Sequence, residues 1–237
     1  MREKDDPQRM SWDTADENRY EQSIAMKIPG YAHMHDLMER LLAASLMNQP
    51  QARLLIVGAG GGKELTLLGS RHPEWSFTGI DLSEPMLQLA ARRVTELELE
   101  SRVDLRMTSI EAMSEEAMYD GATCMLMLHF VQSLEAKKRL LHSLAAKLKP
   151  GSPLLIAAVN ADLHSPAYAT IMNAWREHML FAGITVDEWE RFATSLGQES
   201  DPISSEVMIQ LLGECGFTDI TRYFGSFWVE GYYARRI

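Results

Sequence analysis

A chain of 237 residues with 46% hydrophobic and 24% charged side chains can bury one large α/β core, and nothing in it calls for a second. No apolar run approaches the ~18 residues of a membrane span, so no membrane partner is expected. A formal charge of -10, with Arg92-Arg93, Lys137-Lys138-Arg139 and Arg235-Arg236 as the densest basic groups, disfavours a protein whose work is to grip nucleic acid.

The start, MREKDDPQRM, is charged and lacks the apolar segment of a secretory signal, which points to the cytoplasm. Cys124 in an apolar run and Cys215 beside a helix end suit reduced packing residues. Residues 1–30 read as a polar segment followed by a short helix from Tyr20 to Lys27, stopped by the Pro29-Gly30 turn. From Tyr31 a helix carries an apolar stripe of Leu37, Leu41, Leu42 and Leu46 and ends near Pro50.

Leu54 to Val57 is a short run without polar alternation, the pattern of a strand covered on both faces in a parallel sheet. Gly58-Ala59-Gly60-Gly61-Gly62 then lets the backbone turn tightly and approach a ligand, before a helix begins at Lys63. A second strand, Trp75 to Ile80, delivers Asp81 at its carboxyl end, where open α/β sheets bind ligands and a carboxylate can accept both hydroxyls of a ribose.

Spacing separates three nucleotide motifs at this loop. A P-loop would put glycine at position 57 and Ser or Thr at 64, which hold Val57 and Glu64. A dinucleotide fingerprint would put its third glycine at 63, which is Lys. The remaining pattern, Gly58-x-Gly60-x-Gly62 with Asp81 about twenty positions on, resembles the class I S-adenosylmethionine-dependent methyltransferases.

That resemblance implies a Rossmann-like sheet of seven strands, mostly parallel, with helices on both faces, an antiparallel last strand and a helical lid. It implies S-adenosyl-L-methionine as cofactor, bound by Tyr31, Gly58, Ala59, Gly60, Gly62, Asp81, Leu82, Met86, Ser109, Ile110 and Leu128. Where the family usually carries an acid, two places before the first glycine, this chain has Ile56. Tyr31 suits either the cofactor site or an anchor beside a turn, and Leu82 and Met86 either flank adenine or pack the strand end.

Ser83 can cap the next helix, with Pro85 in its first turn. The third strand, Val103 to Met107, leads to Thr108-Ser109-Ile110, with Ser109 where the family often has an acid. The fourth, Ala122 to Leu128, runs into His129, which can serve as the catalytic group that orients or deprotonates an acceptor, or as a hydrogen-bonded structural histidine. A helix from Leu134 to Lys149, a Pro150-Gly151 turn and the strand Leu154 to Val159 complete the core, residues 31–160.

Residues 161–205 return to helix with Tyr168, Met172, Trp175, Met179, Phe181, Trp189 and Phe192 as apolar groups, expected as a substrate lid that is both core and pocket. Residues 206–237 close the core with a helix, strand Thr221 to Phe224 and last strand Phe227 to Ala234. No cluster has metal-ligand spacing, and His33, His35, His164 and His178 are expected on the surface or lid.

The expected function is methyl transfer to a small-molecule partner, with a homodimer admitted. An alternative within the fold is a carboxy-S-adenosylmethionine synthase of transfer-RNA modification, which Pro29-Gly30-Tyr31 and Gln132-Ser133-Leu134-Glu135 resemble and which would need an arginine such as Arg176 or Arg191. The other alternative is a subunit that binds the cofactor without catalysis.

Overall fold

The computed structural model describes residues 23–237. The polar segment expected over residues 1–19 and the start of the helix expected from Tyr20 lie outside the described residues; residues 23–27 are helical. Helices α1 (Tyr31–Ser45), α2 (Lys63–Arg71), α3 (Glu84–Glu96) and α4 (Leu134–Lys147) alternate with strands β1 (Arg53–Val57), β2 (Ser76–Asp81), β3 (Val103–Met107), β4 (Gly121–Met125) and β5 (Pro153–Val159). Then come α5 (Tyr168–Phe181), α6 (Val186–Ser195), α7 (Ser205–Glu214), β6 (Phe217–Ser226) and β7 (Val229–Arg236).

The seven strands form one sheet in the order β3-β2-β1-β4-β5-β7-β6. The first five are parallel, and β7 runs antiparallel between β5 and β6. This is the Rossmann-like architecture expected, and the order reverses between β1 and β4, which opens a crevice at their carboxyl ends.

The period of two along β1 builds both cores. Leu54 and Ile56 join α1, α2, α3, α5 and α6 side chains on one face, while Leu55 and Val57 join those of α4 and α7 on the other. In α1 the inward stripe is Met34, Met38, Leu42 and Leu46, all buried, with the expected Leu37 and Leu41 only half-buried at its margins.

β4 stops at Met125, short of the expected Leu128. Leu126 turns into the left-handed region (φ 56°) while its N–H donates to the Ala157 carbonyl at 2.7 Å, and Leu128–Phe130 form a 3-10 turn. The turn folds Met127 over the glycine loop. β6 begins at Phe217, earlier than expected, because two irregularities in its pairing with β7 let it bend without ending.

The helices of the 161–205 segment pack on the first core. Trp175 is 1% exposed, stacks beside Phe227 at 5.6 Å between ring centroids, meets Phe192 edge-on at 4.9 Å, and donates its indole N–H to the Lys27 carbonyl at 2.6 Å. Two expectations fail here. Phe181 is 94% exposed instead of inward, and His35, expected at the surface, is buried with Nδ1 3.0 Å from the Tyr31 carbonyl.

Candidate functional site

The glycine loop is strapped to the end of β2. The N–H groups of Gly58 and Ala59 both donate to the Ile80 carbonyl at 2.9 Å. Asp81 then holds the loop from the side: Oδ2 accepts the Gly60 N–H at 2.8 Å and Oδ1 accepts the Ser83 N–H at 2.9 Å. Each oxygen keeps a further lone pair for a ligand hydroxyl. The carboxylate is therefore aimed and stiffened before any ligand arrives.

Glycine is required at two of these positions. Gly58 sits at φ 70°, and a Cβ there would lie 2.7 Å from Met127 Cγ; Gly62 sits at φ 83° as the N-cap of α2, with the Ala90 Cα 3.1 Å from where its Cβ would be. Close packing of α2 against α3 thus uses Gly62, and the turn after β4 uses Gly58.

The structure distributes the other expected residues unevenly. Ala59 is buried in the loop, and the Met86 side chain, 4% exposed, puts Cε 3.6 Å from the Gly60 Cβ direction, whereas Leu82 is 74% exposed beside it. Ser109 precedes the 3-10 turn Ile110–Ala112, and the Thr108 N–H ties this strand end to the Asp81 carbonyl at 3.2 Å. The side chains of Ile110 and Leu128 are enclosed in the second core. Tyr31 belongs to the first core and meets the His35 ring edge-on at 4.6 Å.

His129 is held as a neutral ring. The Val159 N–H points at Nδ1 at 3.3 Å, which makes Nδ1 the acceptor and leaves the proton on Nε2. Burial, with the Lys137 charge adding to it, pushes its pKa down to about 3. A ring that weakly basic is a poor proton acceptor near neutrality.

The backbone of His129 takes part in a clasp: its carbonyl accepts the Asp201 N–H at 2.7 Å. The buried Lys137 ammonium donates to the Val131 carbonyl at 2.5 Å and to Asp201 Oδ2 at 2.7 Å, and the Ser133 N–H reaches the same oxygen at 2.9 Å. The return from the helical segment is thereby fixed to the turn after β4.

Sequence reasoning missed several polar groups around the carboxyl ends of the strands. Glu64, in the first turn of α2, is 4% exposed, and its Oε1 has no hydrogen-bond partner among the described residues. Burial pushes its pKa up to about 8, with the charge of Asp81 adding to the shift.

Asn160, directly after β5, is 1% exposed with neither amide atom partnered, and the Trp228 indole nitrogen is also without a partner. The signal for Glu64 was present in helical spacing, since it lies four residues before the core residue Leu68 and shares its inward face. No group of three or more metal-ligating side chains occurs among the described residues.

Residues 54–151 match the family model described as a methyltransferase domain. Over these residues the chain is similar to methyltransferase domains. The ubiquinone biosynthesis O-methyltransferase of Alkalilimnicola ehrlichii is 31% identical over 142 residues, 59% of this chain and 54% of that protein. The malonyl-[acyl-carrier protein] O-methyltransferase of Priestia megaterium is 32% identical over 135 residues, 55% of this chain and 46% of that protein. The chain thus spans about half the length of these relatives.

The fold of the methyltransferase domain recurs in solved structures. The Burkholderia thailandensis 1,6-didemethyltoxoflavin-N1-methyltransferase, solved with S-adenosylhomocysteine, has a TM-score of 0.61 at 19% identity, covering 92% of this chain and 84% of its own. The magnesium protoporphyrin IX methyltransferase of Synechocystis, with bound S-adenosylmethionine, also has a TM-score of 0.61, at 16% identity, covering 88% and 80%.

The carboxy-S-adenosylmethionine synthase alternative does not hold. The sequence relatives are O-methyltransferases, and the arginines it called for are engaged elsewhere: Arg176 with Glu177 at 2.9 Å, Arg191 with the Asp187 carbonyl of its own helix at 3.3 Å.

Proposed function

We propose that this protein transfers a methyl group from S-adenosylmethionine to a small-molecule acceptor in the cytoplasm. The observation that carries the reading is the Asp81 carboxylate, fixed by two backbone N–H groups at the mouth of a left-handed glycine loop. The residues present suit the cofactor. Asp81 offers acceptors to ribose hydroxyls, Met86 and the exposed Leu82 offer apolar contact to a purine, and buried Glu64 and Asn160 hold polar atoms in want of partners.

When bound, the sulfonium supplies a methyl group with its leaving group already activated. What the protein must add is alignment of the acceptor and exclusion of water. The segment over residues 161–205 serves as the lid: its helices share a core with the sheet face, and its return is clasped to the turn after β4 by Asp201. Asn160 and Trp228, bonded backbone to backbone at 2.6 Å, offer the acceptor a polar edge beside this wall.

Isothermal titration of the purified chain with S-adenosylhomocysteine tests the reading directly. Saturable binding is expected, followed by transfer of labelled methyl from S-adenosylmethionine into a metabolite extract. An absence of binding by folded protein sinks the proposal.

His129 fits the role of a positioning residue that joins the turn after β4 to β5. Its pKa is lowered from an unfolded value near 6.5, so between about pH 6.5 and 3 the unfolded chain binds the extra proton. The stability it contributes is present above pH 6.5 and is lost as pH falls below it, at about 1.4 kcal/mol per unit. Urea melts of wild type and His129→Gln at pH 7.5 and 5.5 should differ more at the higher pH. An identical difference at both would mean the ring protonates freely in the fold.

A further inference from the structure

The structure assigns Glu64 as the carboxylate that receives the ammonium group of the cofactor's methionine end. This inference rests on the cofactor reading above and extends it to a residue on a helix. Ile56, two places before Gly58 in β1, is fully buried and apolar and offers the cofactor no charge. Asp81 is the carboxylate at the end of β2, already bonded to Gly60 and Ser83 and placed for the ribose.

An amino-acid ammonium leaving water needs an anionic partner, because an unpaired buried charge is costly. Glu64 lies in the first turn of α2, two residues after Gly62, is almost wholly enclosed, and has an oxygen with no partner among the described residues. A buried carboxyl oxygen left without a donor can take one from a ligand, and an ammonium supplies up to three.

The surroundings of Glu64 fit that role. Asp81 of β2, Cys124 of β4, Tyr223 of β6 and Lys63 of its own helix are the titratable groups whose charges couple to it. Cys124 and Tyr223 are driven by burial toward their neutral forms, Cys124 with a pKa of about 12, so neither adds charge near neutrality. Lys63 is the cationic one and the weakest influence on Glu64. The carboxyl, buried and with its pKa raised to about 8, is held neutral until a cation arrives. Pairing ionises it, and the displaced proton goes to solvent.

Two measurements on the full chain test this. The first compares S-adenosylhomocysteine, which keeps the ammonium and lacks the sulfonium charge, with 5′-methylthioadenosine, which lacks the amino acid. Glu64→Gln should weaken S-adenosylhomocysteine about tenfold and leave 5′-methylthioadenosine unchanged, because a neutral amide loses the charge-assisted bond and nothing else. Equal effects on the two ligands, or none on either, overturn the assignment while leaving the cofactor reading intact. Failure of the wild type to bind either ligand overturns the cofactor reading and this inference with it.

The second measurement needs no variant. Calorimetry at pH 7 in two buffers of different ionisation enthalpy should show release of most of a proton on binding S-adenosylhomocysteine and none on binding 5′-methylthioadenosine. No proton release with the first ligand overturns the proposal.

Discussion

Asp81→Ala is expected to weaken binding of S-adenosylhomocysteine and 5′-methylthioadenosine alike by about ten- to a hundredfold, or roughly 1.5–3 kcal/mol. The carboxylate has two duties. It holds the loop through Gly60 and Ser83, and in the proposed site its remaining lone pairs accept the ribose hydroxyls. Alanine removes both, so the loop must be organised at the moment of binding instead of beforehand, and the ligand hydroxyls lose a charged acceptor. Because both ligands carry the ribose, they should suffer equally, in contrast to the selective loss expected at Glu64. Unchanged calorimetric affinity in a variant with wild-type circular dichroism would falsify the assignment of the loop as the nucleoside site.

Trp175→Ala should cost about 3–5 kcal/mol of folding stability, read from urea midpoints at unchanged slope. Its ring is enclosed between Phe192 and Phe227, and its indole N–H satisfies the Lys27 carbonyl at 2.6 Å. Alanine leaves a large cavity and an unpaired backbone acceptor together. Trp175→Phe keeps most of the ring and should lose about 1–2 kcal/mol, chiefly the hydrogen bond. The premise is that α5 and the sheet share one core. A loss below about 1 kcal/mol for the alanine variant would show that the 161–205 segment melts independently of the domain.

These two residues also show what the sequence could convey. Asp81 was legible because a short apolar strand ending in a carboxylate, after a glycine-spaced turn, is a local pattern whose consequences are local. The strands β1, β2 and β5 were legible for the same reason, as was the final pair after Gly216. Trp175 was legible as apolar, but not its partners, since Lys27 and Phe227 meet it only through tertiary packing.

The end of β4 was illegible. Leu126-Met127-Leu128 continues an apolar run, and nothing in it signals that Leu126 turns into the left-handed region and Met127 comes to lie over Gly58. Glu64 misled by type, because a glutamate in the first turn of a helix ordinarily faces water and favours the helix dipole. Here it is 4% exposed. Phe181 misled in the opposite sense, an aromatic at the end of α5 that no element among the described residues covers.

The clasp made by Asp201 bears on how such a protein can change over generations. The stretch between Asn160 and Asp201 is moored at both ends, by the Trp228 carbonyl at its start and by His129, Ser133 and Lys137 at its finish. Closing a longer loop between fixed moorings is cheap, about 0.6 kcal/mol for each doubling of its length. Under the proposed function, insertions and substitutions between these moorings would retailor the acceptor's wall while Asp81, Gly58 and Gly62 stay untouched, so that new acceptors can be tried without losing the old cofactor.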